Sequence, residues 1–491
     1  MGSEDKSFKK ICKLYKKYGS SDGLTLINKA YELAKVAYYK EFRFSKISFL
    51  QHSLNVALYC AKYNLDSKTI SAAILHDTFN FGVTEFEVTS YVDAEVGKML
   101  TNLEDIKTIR NRYNNLYLSE KTLYSDYLRR LIIILGKDFR VIILRLLEKY
   151  DSLKDCEYLT DQKKSQVIKN MLDIYAPLAE FLGLHRLKQK MEDLAFKKKS
   201  FKKYLKYKNF IKKSKYSNKN IIGDFEKKLK LILLKNNVDF VKVYGRKKGV
   251  YSFYKKVNRY VVQKKLTTSA AVNAIRDKIA FSIITKNVDD CYKVFGLINN
   301  SFKVLHSQTD DYIVKPKSNG YKAIHLIIEL KKNLFVEIQI KTNEMHKTNE
   351  YGVASHAYYK MYGSNSVVNQ NKIMFLQNLI NWKDLISRGE TNIKSIQDTI
   401  LSITPKGDVI ELPNGSTALD FAYKIHTTLG DKAVRAKINS KLSKLNTPLK
   451  TGDIVEIFED TKSKGPKPYF LSYAKTKEAK LHIKKRLKKY L

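Results

Sequence analysis

The sequence predicts a multidomain protein of α plus α/β class: an all-helical first domain, a mixed α/β second domain and a small β-grasp-like third. Three observations carry that reading. Apolar residues recur at spacings of three and four through residues 24–196, as in Leu54, Ala57, Leu58 and Ala61, with no Asn-Gly or Asp-Gly hairpin signal between them. Period-two segments then appear between about 221 and 345, interleaved with helical patterns. Five of the seven prolines lie beyond residue 400, a compositional shift that marks a separate unit. A chain of 491 residues accommodates about three domains of ordinary size.

In chain order, residues 24–196 form the helical domain, and the lysine-dense stretch 197–225 reads as a solvated, basic helical connector. Residues 226–375 form the α/β domain, with strands expected at Asp239–Tyr244, Ile279–Ile284 and Leu334–Ile340. Residues 400–460 hold a strand–turn–strand from Ile403 to Leu412, a helix over Asp420–Leu429, and strands at Ala433–Ile438 and Ile454–Ile457. A basic helical tail, 461–491, ends the chain.

Lys and Arg number 91 against 49 Asp and Glu, a net charge of +42. A field of that sign favours polyanionic partners such as nucleotides or RNA. A composition rich in Lys, Asn, Ile and Tyr is the alternative source of the excess. The four cysteines, Cys12, Cys60, Cys156 and Cys291, form no CxxC pair, which argues against a zinc ribbon or disulfide framework and for a reducing cytoplasm. No apolar run approaches the roughly 18 residues that cross a bilayer, so no membrane partner is expected. The lysine-rich start, Met1 to Lys17, has no secretory apolar core.

The chemistry concentrates in the α/β domain. The spacing predicts a strand ending at Gly245 and a helix starting near Gly249, with Lys248, Ser252 and Lys256 on one face and Arg246 at the turn. Cations and a hydroxyl at a helix start suit a polyphosphate, although the Walker pattern is absent. Asp277 opens a strand. Period two places Glu337, Gln339 and Lys341 opposite Val336, Ile338 and Ile340. Two carboxylates from different strands can hold Mg²⁺ together with substrate phosphates. The turn at Asn319-Gly320 projects Tyr321, whose ring can stack on a base. Each feature alone is as compatible with ordinary solvated lysines, a turn-forming aspartate or strand-edge packing.

The set GRxK…S…KK, RDxxAxxI, DDYIxxPKxNGYxxxH and VEIQIKTxxMHxxxExGVAxHxxYK, over about 240 to 360, resembles the synthetase domain of the RelA/SpoT family of (p)ppGpp synthetases. The resemblance implies a nucleotidyltransferase-like α/β fold and transfer of pyrophosphate from ATP to the 3′-hydroxyl of GDP or GTP. It implies Arg246, Lys248, Ser252 and Lys256 as ATP-phosphate binders and Asp277 as a Mg²⁺ ligand. Glu337 becomes the second carboxylate, ligand or base. Tyr321 looks like the guanine-stacking residue, with Lys317, Asn319, His325 and Gln339 around the acceptor. The family often has Arg where this chain has Ser282 and Lys341, and Lys lacks the bidentate fork. Gln308-Thr-Asp-Asp311 is closer to the acidic signature of synthetase-specialised members than to the RxKD of bifunctional ones.

Two further modules resemble the same family. Arg43, His52, His76-Asp77 and the run Tyr175 to Gly183 are similar to its HD hydrolase domain, in which two His and two Asp bind Mn²⁺. Three ligand positions match as His52, His76 and Asp77, and the fourth is Glu148 where the family has Asp. Asn80-Phe81 replaces the acidic pair expected after the HD dipeptide, so hydrolysis is expected to be lost, with a vestigial Mn²⁺ site. Residues Thr404 to His426 and Leu449 to Glu456 look like a TGS domain, which in the family contacts uncharged tRNA on the ribosome, with His426 at the contact position. A capping or packing histidine is the alternative there. The chain ends at Leu491, before the later regulatory regions of long members, which weakens the expectation of ribosome dependence. The leading reading is a GTP/GDP pyrophosphokinase of the stringent response. A bifunctional synthetase/hydrolase is the second reading. A catalytically silent nucleotide- and tRNA- or ribosome-binding protein is the third.

Overall fold

The computed structural model describes residues 3–113, 138–213, 219–316, 321–331, 334–351, 399–405, 408–460, 463 and 465–487. Two compact units divide the chain: residues 1–39, 60–145 and 357–491 make up the first, and 40–59 with 146–356 the second.

The N-terminal region is helical, as the three-and-four spacing predicts. Its helices are α1 (Ser3–Tyr15), α2 (Ser21–Ala37), α3 (Phe49–Lys62), α4 (Ser67–Leu75), α5 (Glu85–Tyr91), α6 (Ala94–Tyr113), α7 (Phe139–Lys154), α8 (Asp161–Asn170) and α9 (Ala176–Phe181). In the first unit α4 is buried from Thr69 to Leu75 and packs against α2, whose Ile27, Ala30 and Ala34 are buried as well. Asp66 starts α4 by accepting from the Thr69 N–H at 2.7 Å, an N-cap bond that satisfies an otherwise orphan donor. Helix α4 ends at His76, whose dipeptide with Asp77 opens a short 3₁₀ turn, Thr78–Phe81.

In the second unit, α10 (His185–Lys199), α11 (Phe201–Lys213) and α12 (Lys219–Lys235) lead into β1 (Phe240–Lys247), α13 (Val250–Lys264), α14 (Thr268–Ala274) and β2 (Ile279–Thr285). After these come α15 (Val288–Ser301), β3 (Lys303–Val304), β4 (Asp310–Asp311), β5 (Ile324–Lys331), β6 (Leu334–Thr342) and α16 (Asn343–Tyr351). The sheet runs β1-β2-β6-β5-β3, with β4 paired to β5. Among the described residues β2 pairs with β6 in parallel and the other pairings of this sheet are antiparallel.

The sheet has two different faces. Phe281, Ile283, Val336, Ile338 and Ile340 form one core with Leu229 and Leu233 of α12 and Val294 and Ile298 of α15. The opposite face carries Glu337, Gln339 and Lys341, as period two requires. That face is not the half-exposed surface of an ordinary strand: Gln339 is 3% exposed and Lys341 2%. Helices α10, α11, α13 and α14 share a second core there, built on Phe196, Tyr207, Ile211, Phe253, Val257 and Ala271.

That second core corrects the reading of 197–225 as a solvated connector. Its lysines are interleaved with aromatic and aliphatic residues, and Tyr207 and Ile211 of α11 are buried on α13. Strand β1 also runs past the expected end at Gly245, because residues 245–247 keep pairing with Phe281, Ala280 and Ile279 of β2. Arg246 therefore lies in the strand and not in the turn.

The C-terminal region has a hairpin of β7 (Thr399–Ile403) and β8 (Val409–Pro413), helices α17 (Ala418–Ile425) and α18 (Thr427–Lys432), and an antiparallel sheet of β9 (Ala433–Ile438), β10 (Lys441–Ser443) and β11 (Val455–Glu459). Helices α19 (Phe470–Tyr473) and α20 (Lys477–Leu487) follow, and Phe470, Ala479 and Ile483 join the same core. The single helix expected over Asp420–Leu429 is two, split at His426, which adopts extended backbone at φ −160°. Asp420 is 1% exposed and accepts from Thr417 N–H (2.8 Å), Lys475 N–H (3.0 Å) and Thr476 N–H (2.9 Å), tying α17 to the start of α20.

Candidate active site

A cavity of about 300 Å³ lies in the second unit between the polar sheet face, the start of α13 and helix α10. Gly249 caps α13 and admits α10 closely: a Cβ there would stand 2.8 Å from Gln189 Cγ. The expected face of Lys248, Ser252 and Lys256 divides in two. Both ammonium groups converge on Asp277 Oδ2, Lys256 at 2.8 Å and Lys248 in a shorter contact. Ser252 Oγ instead donates to Glu192 Oε2 of α10 at 3.0 Å. Arg246 lines the same cavity.

Asp277 Oδ1 is buried and has no hydrogen-bond partner among the described residues. Burial alone raises this carboxyl, but the charges and hydrogen bonds of Lys248 and Lys256 outweigh it and hold the group below its ordinary range. An ionised carboxylate with one unsatisfied buried oxygen is a fit donor for a hard cation such as Mg²⁺.

The second carboxylate, Glu337 of β6, faces the same cavity. It bonds His325 Nδ1 through Oε1 at 3.0 Å and accepts from Gln339 Nε2 through Oε2 at 2.9 Å. Burial raises its pKa and so does the charge of Asp277, yet His325 and Gln339 prevail and keep it low. Register explains the grouping, since His325 of β5 pairs with Gln339 and Ala280 of β2 with Glu337. His325 Nε2 lies 2.8 Å from the Tyr321 hydroxyl, so a continuous chain runs from Tyr321 through His325 to Glu337. With Nδ1 donating to Glu337, Nε2 accepts from the tyrosine.

Tyr321 stands three residues before β5. Asn349 holds the adjacent backbone from both sides, accepting from the Lys322 N–H (3.2 Å) and donating to its carbonyl (2.7 Å). Its ring meets His185 edge-on at 5.9 Å and lines the cavity. Burial lowers His185 to about 4, so that imidazole is neutral at pH 7. Lys317 and Asn319 lie outside the described residues. Sequence reasoning missed Glu192, His185 and Asn349, whose partners stand far away in the chain.

Comparison with known proteins finds three matching family models. The family model described as "Region found in RelA / SpoT proteins" matches residues 245–364, an HD domain model matches 30–185 and a TGS domain model matches 400–459. A guanosine-3′,5′-bis(diphosphate) 3′-pyrophosphohydrolase of Borreliella burgdorferi is 30% identical over 471 residues, covering 94% of this chain and 68% of that protein. The chain belongs to the RelA/SpoT family.

Other RelA/SpoT relatives carry two different names. A Spiroplasma citri protein, 33% identical over 488 residues, is also a 3′-pyrophosphohydrolase by name. A Brucella ovis protein, 30% identical over 473 residues, is named GTP pyrophosphokinase rsh. The match covers 95% and 94% of this chain respectively, but only 63% and 61% of those relatives' lengths. Among solved structures, the small alarmone synthetase 1 of Bacillus subtilis bound to its product pppGpp aligns over 39% of this chain and 96% of its own, at 22% identity and a TM-score of 0.24.

The HD-type residues of this RelA/SpoT chain are distributed over both units. In the first, His76 Nδ1 lies 2.8 Å from the Ala73 carbonyl, and Asp77 Oδ2 lies 3.2 Å from His76 Nε2. Lys107 reaches Asp77 Oδ1 at 2.9 Å and the His76 carbonyl at 2.7 Å, so a cation already balances that carboxylate. Asn80 and Phe81 stand in the following turn, with Phe81 edge-on to Tyr38 at 5.5 Å. In the second unit His52 Nδ1 bonds Asp151 Oδ2 at 2.8 Å, and Glu148 pairs with Lys149 at 2.9 Å. Burial raises Asp151, but His52 and Lys154 bring it to about 2. Asp151 is a partner that sequence reasoning missed.

In the TGS-type region His426 acts as a helix cap. Its Nδ1 accepts from the Thr428 N–H at 3.3 Å and lies 2.6 Å from the Thr428 hydroxyl. The side chain is exposed. Among the described residues no helix is long and apolar enough to cross a membrane.

Proposed function

We propose that the protein is a GTP/GDP pyrophosphokinase that transfers pyrophosphate from ATP to the 3′-hydroxyl of GDP or GTP, making (p)ppGpp in the cytoplasm. The observation that carries this reading is one cavity lined by Asp277, Glu337, Lys248, Arg246 and Tyr321, with Lys256 paired to Asp277. The cations bind and orient the ATP phosphates, and the tyrosine ring stacks on the acceptor purine, with His325 and Gln339 beside it. Glu337 accepts the proton of the 3′-hydroxyl as that oxygen bonds the β-phosphorus and the bond to the α-phosphate breaks, releasing AMP. Asp277 and Glu337 are the residues that would hold Mg²⁺, which would offset charge on the phosphoryl oxygens. The test is thin-layer analysis of labelled ATP with GDP or GTP and Mg²⁺. Label appearing in the guanosine product supports the reading, and its absence from a folded, ATP-binding protein refutes it.

The HD-type region is proposed to lack ppGpp hydrolysis. Asn80 and Phe81 offer no carboxylate to move a proton at a bound water, a contribution of about 10²–10⁴-fold where such groups act. His52, His76, Asp77 and Glu148 are the residues that would hold Mn²⁺, in competition with Lys107 at Asp77. The names of several relatives favour a second reading, a bifunctional synthetase/hydrolase. Incubation with ppGpp and Mn²⁺ separates the two: no pyrophosphate release is expected, and brisk release establishes the bifunctional enzyme. The TGS-type region is proposed to contact uncharged tRNA or the ribosome through the exposed His426. Stimulation of synthesis by ribosomes carrying uncharged tRNA, lost in a His426→Ala protein, supports that contact.

A further inference from the structure

Helix α10 places two adjacent carboxylates against the first turn of α13. Glu192, 3% exposed, takes the Ser252 hydroxyl on Oε2 at 3.0 Å and the Lys255 ammonium on Oε1 at 2.8 Å. Asp193 accepts the Tyr251 N–H at 2.9 Å, and burial raises its pKa to about 6. The close approach permitted by Gly249 locks α10 in this position. Backbone amide, hydroxyl and ammonium are the groups that a helix start offers to phosphate, and here all three already serve carboxylates of the same chain.

The stereochemistry makes the two uses of Ser252 exclusive. A serine hydroxyl has one proton to donate. Donated to Glu192, it is not available to a phosphate oxygen; donated to phosphate, it leaves a buried carboxylate short of a partner and beside a second anion. Hydrogen bonds to charged groups contribute enough for their loss or gain to change affinity by about tenfold or more. We propose that Glu192 sets the affinity of the donor-nucleotide subsite by competing with the polyphosphate for Ser252. This rests on the reading of Ser252 as a phosphate-binding residue. The opposing reading is that Glu192 only positions α13, in which case its removal loosens the subsite.

The two readings predict opposite signs. The full chain is titrated with the α,β-methylene analogue of ATP and Mg²⁺ in a calorimeter, after thermal unfolding has shown that each variant is folded. Glu192→Gln is expected to bind the analogue about tenfold more tightly than the wild type, and Ser252→Ala in the Glu192→Gln background is expected to remove that gain. Should Glu192→Gln fail to fold, Glu192→Asp withdraws the carboxylate by one methylene and is expected to tighten binding about threefold. Equal or weaker binding by the folded Glu192 variant, with the wild type binding normally, overturns the competition and leaves the donor-site reading intact. A folded wild type and variant that both fail to bind the analogue overturn both.

Discussion

Glu337→Gln is expected to abolish pyrophosphate transfer while the protein still binds ATP. The substitution keeps the shape of the side chain and removes its charge, so the cavity wall stays in place. What would disappear is the proposed proton acceptor for the 3′-hydroxyl, an expected loss of about 10²–10⁴-fold in rate. The wild-type group is ready for that role because His325 and Gln339 hold it ionised against its burial. The sign of its pH dependence follows. A carboxyl held below its ordinary range stays charged as pH falls to that range, so activity is lost only on further acidification through the lowered value. Product formation and analogue binding, measured on the same sample, check this. Full activity in the folded Gln variant removes Glu337 from the chemistry.

Asp277→Asn is the second large effect, and it separates binding from catalysis differently. Asp277 stands between Lys248 and Lys256, and its second oxygen is buried without a partner among the described residues. A neutral amide balances neither ammonium and is a poor donor to a hard cation. Transfer is expected to fall by about 10²–10³-fold, the scale of losing one preorganised electrostatic group. ATP binding without Mg²⁺ should hold or tighten, because both lysines are released to the phosphates, while the Mg²⁺ dependence of binding is lost. Calorimetric titration with and without Mg²⁺ measures it. Unchanged Mg²⁺ dependence in the variant places the metal elsewhere.

Much of this cavity can be read along the chain, for a physical reason. The alternation Leu334 to Thr342 fixes which face Glu337 and Gln339 share, and Gly249 marks the start of α13 within one residue. Such features are local, set by strand pleat and helix capping. The contacts that escaped reading are long-range. Glu192 meets Ser252 across 60 residues and Asp151 meets His52 across 99. On their own helices Glu192 sits beside Asp193 and Asp151 three residues after Glu148, each one acid among many charges, with no periodicity to set it apart. Asn349 reaches back 27 residues to hold the Lys322 backbone, again with no local mark. The lysine-dense stretch misled for the opposite reason. Its charge density masked Tyr207 and Ile211, and a few apolar groups at helical spacing are enough to bury one side of a basic helix.

The ties from Asp420 to Lys475 and Thr476 bear on how the C-terminal region stands alone. An autonomous folding unit cut at residue 460 keeps β7 to β11 but strips away Phe470, Ala479 and Ile483, and it leaves a buried carboxylate with fewer donors than it is built for. The tail is therefore the closing wall of this miniature domain. Trimming it exposes apolar core surface, and the shortened region is expected to aggregate and to be cut by proteases more readily than the intact one.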